Sequence, residues 1–402
     1  MDYAILSGLV APSDTKMVLL VMDGLGGLPD PETGLTELET AHTPNLDRLA
    51  SESICGLVHP VAPGITPGSG PGHLALFGYD PLRYGIGRGV LAAIGSGVGL
   101  APDDLAARVN FCTIEDGIVV DRRAGRISSE ENRRLCEKLG DIDLGEVDAA
   151  IYPEKEHRAA LVFRGPGLSE KVTDTDPQRN GQAPLNCKPL PGAGDDAHKT
   201  AELVNTYLDR AAEILAEESP ANMIITRGFS KLPRIPHFKE LHGVRALGIA
   251  NYPMYRAVAE LVGMEVPEVG DKFSQKVDLL ERNWDGYDYF FIHYKHTDSS
   301  GEDGDFKGKV GHIEEVEAQI PRVRELRPDV LAVTGDHSTP ALLASHSWHP
   351  CPIILHSRWE RKDDVASFGE RACAHGGLGV FHAIEVMPMM LANALRLKKF
   401  GA

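Results

Sequence analysis

Positive charge is scarce in this sequence: 41 Lys and Arg stand against 58 Asp and Glu, for a net charge of −17. A chain so charged has no general attraction for nucleic acid or for an anionic membrane. Any anion it binds must meet local cations, either metal ions or clustered arginines. Cysteine is sparse as well. Cys55, Cys112, Cys136, Cys187, Cys351 and Cys373 form no C-x-x-C pair, which argues against a disulfide framework and for reduced thiols in a cytoplasmic chain. No apolar run approaches membrane-spanning length. The opening MDYAILSGLVAPSD lacks the basic n-region of a signal peptide. No G-K-[ST] follows the glycines of PGITPGSGPGHLALFGYDP (Pro63–Pro81), so there is no Walker loop. No internal repeat is visible.

The 402 residues are too many for one ordinary core, so two domains are expected. Five short apolar runs read as buried parallel strands: Met17–Gly24, Asn222–Gly228, Val244–Ala250, Asp288–Lys295 and Asp329–His337. Between them lie amphipathic helical segments. One carries a stripe of Leu203, Tyr207, Ala211 and Ile214; another starts with Thr43 as N-cap and Pro44 at the first helical position. Alternating strands and helices predict an α/β core with a mostly parallel sheet flanked by helices. The middle differs. Short alternating stretches such as GIVVDRRAG and RAALVFRG suggest a smaller inserted α+β domain over 108–190, with the core made of 1–107 and 191–402. Lys188–His198 reads as a linker.

Three strands end in acids. Asp23 follows VLLVM, Asp298 follows FFIHY after a short connection, and Asp336 with His337 follows VLAVTG. Ligands of open α/β sheets bind beyond the carboxyl ends of the strands, so these positions are expected to converge, with His346 downstream. Carboxylates mixed with imidazoles suit divalent metals. A single strand-end Asp could equally be a turn or cap, and His349, beside Trp348, reads as structural. In HTDSSGEDGD (His296–Asp305), Asp303 and Asp305 read as turn and cap for a helix carrying Val310, Ile313 and Val316. Ser69 falls near a helix start, where it is either an N-cap or a nucleophile activated by a metal. Basic residues gather in the middle region: Arg122, Arg123, Arg126, His157, Arg158 and Arg164, followed by Arg227 and Arg256. Guanidinium forks suit phosphate and carboxylate, although any one of them could be an exposed ion pair.

The segments VLLVMDGLGGLPD, AHTPNLDRLA, PGSGPGHLALFGYDP, GRGVLAAIG, DRRAGRIS, DTDP, TGDHSTP and HSWHPCPIIL, in this order, resemble the archaeal-type 2,3-bisphosphoglycerate-independent phosphoglycerate mutases of the alkaline phosphatase superfamily. The resemblance implies an alkaline-phosphatase-like core and interconversion of 3- and 2-phosphoglycerate in glycolysis and gluconeogenesis. It also implies a phosphoserine intermediate on Ser69, two divalent metal ions and no 2,3-bisphosphoglycerate cofactor. One metal would be held by Asp23, Ser69, Asp336 and His337, the other by Asp298, residue 302 and His346. The family usually has histidine at that position; this chain has Glu302, which favours Mn²⁺ or Mg²⁺ over Zn²⁺ or Co²⁺. An acidic residue common just after the serine is missing, and Arg256 stands where relatives place lysine. The arginines and His157 would bind the substrate, a small phosphorylated acid, and Asp121 is a candidate base. Two rivals are another metal-dependent phosphatase or phosphotransferase, and a binding protein that has lost one metal.

Overall fold

The computed structural model describes residues 3–401. It contains twelve strands: β1 (Met17–Met22), β2 (Ile54–His59), β3 (Leu105–Glu115), β4 (Ile118–Asp121), β5 (Asp148–Pro153), β6 (Arg158–Arg164), β7 (Met223–Lys231), β8 (Ala246–Ile249), β9 (Tyr289–Tyr294), β10 (Val330–Thr334), β11 (Cys351–Ser357) and β12 (Gly379–His382). The chain forms two compact units, 1–85 with 235–402, and 86–234. Among the described residues, no helix is long and apolar enough to cross a membrane.

The first unit holds a seven-stranded sheet in the order β12-β2-β11-β10-β1-β9-β8. Its centre, β10-β1-β9-β8, is parallel, as the continuous apolar runs predict. Every residue of β1, β9 and β10 is buried, because helices cover both faces of such a sheet. β11 runs antiparallel to both β10 and β2. That single reversal leaves β2 parallel to β10, so β2 also ends at the edge where β1, β9 and β10 end. The predicted helix start holds: Pro44–Ser51 has Thr43 at the N-cap and Pro44 first in the helix, although the Thr43 side chain makes no capping bond.

The second unit is built on an antiparallel sheet, β4-β3-β6-β5, with β7 on the other side of β3. Two expectations change here. The Asn222–Gly228 run is β7, antiparallel to β3, and not a parallel core strand. A run this short carries no information about direction. The compact unit also extends beyond 108–190, because β7 completes its sheet and the helix Asp195–Leu215 packs into its core beside Leu161 and Phe163. That helix begins inside the expected linker, and its buried face holds Val204, Tyr207, Ala211 and Leu215, whereas Ile214 is 37% exposed.

Candidate metal centre

All the candidate ligands belong to the first unit. β1 delivers Asp23, β9 leads into the helix His296–Glu302 that carries Asp298, and β10 delivers Asp336 and His337. β2 feeds the loop before the helix Ser69–Leu76. Two groups of potential ligands form, Asp23–Asp336–His337 and Asp298–His337–His346, sharing His337. Asp23, Asp298, Asp336 and His337 are fully buried.

His337 Nε2 lies 3.2 Å from Asp23 Oδ1, 3.3 Å from Asp336 Oδ2 and 3.0 Å from Ser69 Oγ. Its tautomer follows from its other nitrogen. Thr339 donates its hydroxyl to Asp298 Oδ1 at 2.6 Å, so it accepts from His337 Nδ1 at 2.9 Å. In the neutral ring Nε2 is then the lone-pair nitrogen, and it faces two carboxylate oxygens. Asp23 Oδ1 and Asp336 Oδ2 are buried with no hydrogen-bond partner. Three acceptors facing one another in a buried site are costly unless a cation sits among them. The residues therefore fit a divalent metal, with the outer nitrogen of the histidine fixed as metal-ligating histidines usually are.

The second group is similar. His346 donates from Nδ1 to the Pro67 carbonyl at 3.0 Å and turns Nε2 to Asp298 Oδ1 at 3.4 Å and Glu302 Oε1 at 3.6 Å. Its ring stacks on His337, 3.8 Å between centroids. Glu302 stands at the rim, 54% exposed. Burial and the Asp23 charge push Asp298 up, but the His346 hydrogen bond and the Lys295 charge prevail and hold it at about 2. Burial depresses His346, yet the Asp298 and Glu302 carboxylates beside Nε2 raise it to about 11, so a cation held here would displace a proton from the ring.

The backbone is shaped for this convergence. Gly24, at φ +62, donates its N–H to Asp336 Oδ1 at 3.1 Å, and a Cβ there would lie 2.8 Å from Asp298 Oδ1. A Cβ at Gly72 would lie 2.3 Å from the Asp336 carbonyl oxygen, so only glycine lets the Ser69 helix approach this closely. Gly68, not Ser69, is the N-cap, and Ser69 opens the helix with its hydroxyl directed at His337. Asp305 caps the helix Phe306–Glu317 through Gly308 N, as predicted. His349 bonds Ser347 and stacks on Trp348, outside both groups.

Several residues around the centre carried no sequence signal. His73 Nδ1 lies 3.2 Å from Asp336 Oδ2, His293 Nε2 lies 3.1 Å from Asp23 Oδ2, and Lys295 pairs with both Asp23 and Asp298. Each of the three meets a partner more than 200 positions away, which no local pattern reveals. The rule of an acid at a strand end picks out Asp23, Asp298 and Asp336, and no equivalent rule points to these three.

The second unit carries a separate charged cluster. Arg108 on β3 pairs across from Arg227 on β7, and Asn110 across from Arg158 on β6. Directly paired residues and residues two apart share a face, so these arginines stand together. Arg108 was not singled out in the sequence. Burial, and then the charges of Arg158, Arg227 and Arg88, draw Arg108 down to about 10 against the pull of Glu154. Its Nε and that of Arg227 are buried without a hydrogen-bond partner. Burial, with Arg158, Arg108, Arg123 and Arg126, lowers His157 to about 4. The other basic residues are engaged elsewhere. Arg122 holds Asp176 through two bonds, and Arg164 bonds Asp104 and Tyr152. Arg256 bonds the carbonyls of Val266 and Pro267 and pairs with Glu268 at 2.8 Å. Asp121 accepts the N–H groups of Arg123 and Gly125. Those bonds outweigh burial and keep its carboxyl below the usual range, which makes it a poor base.

An α/β sheet whose strand ends gather carboxylates, imidazoles and one serine defines a class, a candidate metal-dependent hydrolase or transferase. The comparisons narrow it. The family model for 2,3-bisphosphoglycerate-independent phosphoglycerate mutase matches residues 50–222. A protein of Aquifex aeolicus named "Probable 2,3-bisphosphoglycerate-independent phosphoglycerate mutase" is 50% identical over 99% of this chain and 100% of its own length. One of the same name from Thermus thermophilus is 49% identical over 100% of this chain and 99% of its own. Among solved structures, the PH0037 protein of Pyrococcus horikoshii has a TM-score of 0.83 at 30% identity, covering 97% of this chain and 100% of that one. The cofactor-independent phosphoglycerate mutase of Thermoplasma acidophilum has a TM-score of 0.72 at 31% identity, covering 94% and 100%. The chain belongs to the family of 2,3-bisphosphoglycerate-independent phosphoglycerate mutases.

Proposed function

We propose that this chain interconverts 3-phosphoglycerate and 2-phosphoglycerate through a phosphoserine on Ser69, with two divalent cations and no bisphosphoglycerate. The observation that carries the reading is the meeting of two potential ligand groups at His337, with Ser69 Oγ 3.0 Å from its Nε2. Asp23, Ser69, Asp336 and His337 would hold one cation; Asp298, His346 and Glu302 would hold the other. When bound, the cations would neutralise the phosphoryl oxygens and make the serine hydroxyl easier to deprotonate. Glu302 supplies a harder oxygen donor than imidazole and favours Mn²⁺ or Mg²⁺ over Zn²⁺ or Co²⁺.

Ser69 Oγ attacks phosphorus in line, and the bond to the glycerate oxygen breaks as the new one forms. The free glycerate must remain bound while its other hydroxyl takes the phosphoryl group back. Arg108, Arg158 and Arg227, with Arg123, Arg126 and His157 beside them, are the proposed holders of its carboxylate. The reaction is proton-neutral overall: one glycerate hydroxyl loses a proton and the other gains one. The engagements of Arg122, Arg164 and Arg256 with acidic or carbonyl partners favour structural roles for all three.

The test is an enolase-coupled assay on 3-phosphoglycerate with Mn²⁺ and no added bisphosphoglycerate. Turnover is expected. Silence with every divalent metal would overturn the reading, and release of free phosphate would select a phosphatase.

A further inference from the structure

Lys295, immediately after β9, places one ammonium between two carboxylates. It pairs with Asp298 Oδ2, lies 3.3 Å from Asp23 Oδ2 and donates to the Tyr255 hydroxyl at 3.1 Å. Asp23 and Asp298 belong to different ligand groups. In both, the lysine takes the outer oxygen. The inner oxygens face the histidines: Asp23 Oδ1 is 3.2 Å from His337 Nε2, and Asp298 Oδ1 is 3.4 Å from His346 Nε2. The lysine is itself fixed from behind. Tyr255 is fully buried and stacks on His293 at 3.7 Å, and His293 Nε2 contacts Asp23 Oδ2 at 3.1 Å.

We propose that Lys295 is a positioning residue that staples one ligand of each metal site and so couples the two sites. The proposal rests on the two-cation reading given above. Electrostatics alone makes the opposite prediction. A resident ammonium in contact with two of the ligand carboxylates would repel cations held there, so removing it would tighten metal binding. A staple predicts weakening, because the two carboxylates lose their fixed orientation and repel each other. The sign of the change separates the two accounts.

The metal-free, full-length chain would be titrated with Mn²⁺ by calorimetry, with bound Mn²⁺ counted by electron paramagnetic resonance. The wild type is expected to take two ions. Lys295→Met should lower the affinity of both sites in parallel, each by about 10- to 100-fold, the usual cost of losing an outer partner. Lys295→Arg should recover part of that loss, whereas His346→Ala should impair one site only. Tyr255→Phe keeps the charge but removes its anchor; it should weaken both sites by a smaller factor, and it serves as the deciding variant if Lys295→Met does not fold. Binding by Lys295→Met as tight as or tighter than wild type, or a loss confined to one site, would overturn the staple, as would an unaffected Tyr255→Phe in the deciding role. A wild type that binds two ions but does not turn over phosphoglycerate would overturn the mutase reading and leave the staple standing.

Discussion

The two units bury charges of opposite sign and assemble them differently. In the first, the acids sit just past the ends of parallel strands, so residues far apart in sequence meet at one edge of a sheet. In the second, the arginines sit inside antiparallel strands and meet on one face. In the first set Asp23 Oδ1 and Asp336 Oδ2 make no hydrogen bond, and in the second Arg108 Nε and Arg227 Nε make none. Each set is incomplete within its own unit. One asks for a cation, the other for an anion. In a chain of net charge −17, the buried arginines are a local exception to the overall sign, while the buried acids concentrate it.

Variants that separate the two sets give the clearest tests. Ser69→Ala should cost at least about 10³-fold in kcat, the scale seen for loss of a nucleophile, and should abolish labelling of the chain by phosphate; full activity in the coupled assay would remove Ser69 from the mechanism. Arg108→Ala should raise KM by about 10- to 100-fold, the worth of one charge-assisted hydrogen bond, while the Mn²⁺ content stays at wild-type level. A change in metal content instead would collapse the distinction between the units. Glu302→Ala should weaken one of the two cations by at least about tenfold, the scale of losing even an outer partner, and Glu302→His should shift relative affinity from Mn²⁺ toward Zn²⁺. Metal analysis that finds Glu302→Ala equal to wild type would remove Glu302 from the site.

The last test concerns an imidazole outside both sets. His242 is buried, bonds the Phe77 carbonyl at 2.9 Å, and is pushed by burial from 6.5 to about 4. Its folded-state value lies below its unfolded one, so the unfolded chain protonates first. Stability is therefore unaffected by His242 above pH ~6.5 and falls as pH drops toward ~4, by at most about 3 kcal/mol. His242→Gln, which keeps a donor for Phe77, should flatten that part of a urea-midpoint curve. An unchanged slope would show that the ring is not the titrating group.

What the sequence revealed follows the same division. Asp23, Asp298, Asp336 and His337 were legible because a buried parallel strand announces its own end, and the rule for strand ends supplies the convergence. The helix entry at Asp305 was legible for a similar local reason. Arg108 was not, because an arginine in an alternating strand has the pattern of an exposed residue, and only the pairing of β3 with β6 and β7 gives it charged neighbours. Arg256 was matched by its place along the chain, but its partners Val266, Pro267 and Glu268 are set by how the next turn folds back. β7 was assigned to the wrong sheet because its apolar core, Ile224 and Ile225, would suit either one. Lys295 needed three contacts that exist only in the folded chain.

The division of the chain also sets an order of events. Residues 86–234 are contiguous, with a core drawn entirely from that span. The first unit has no such independence: β1 pairs with β9 and β10, and β2 pairs with β11 and β12, all of which are made late. On a ribosome the arginine unit can close while most of the other sheet is still unsynthesised, and the long-range pairings must wait for β9 to β12, residues 289–382. The candidate ligand set is thus complete only once His346 has been made, and Asp23, the first of its members to emerge, waits longest for its partners.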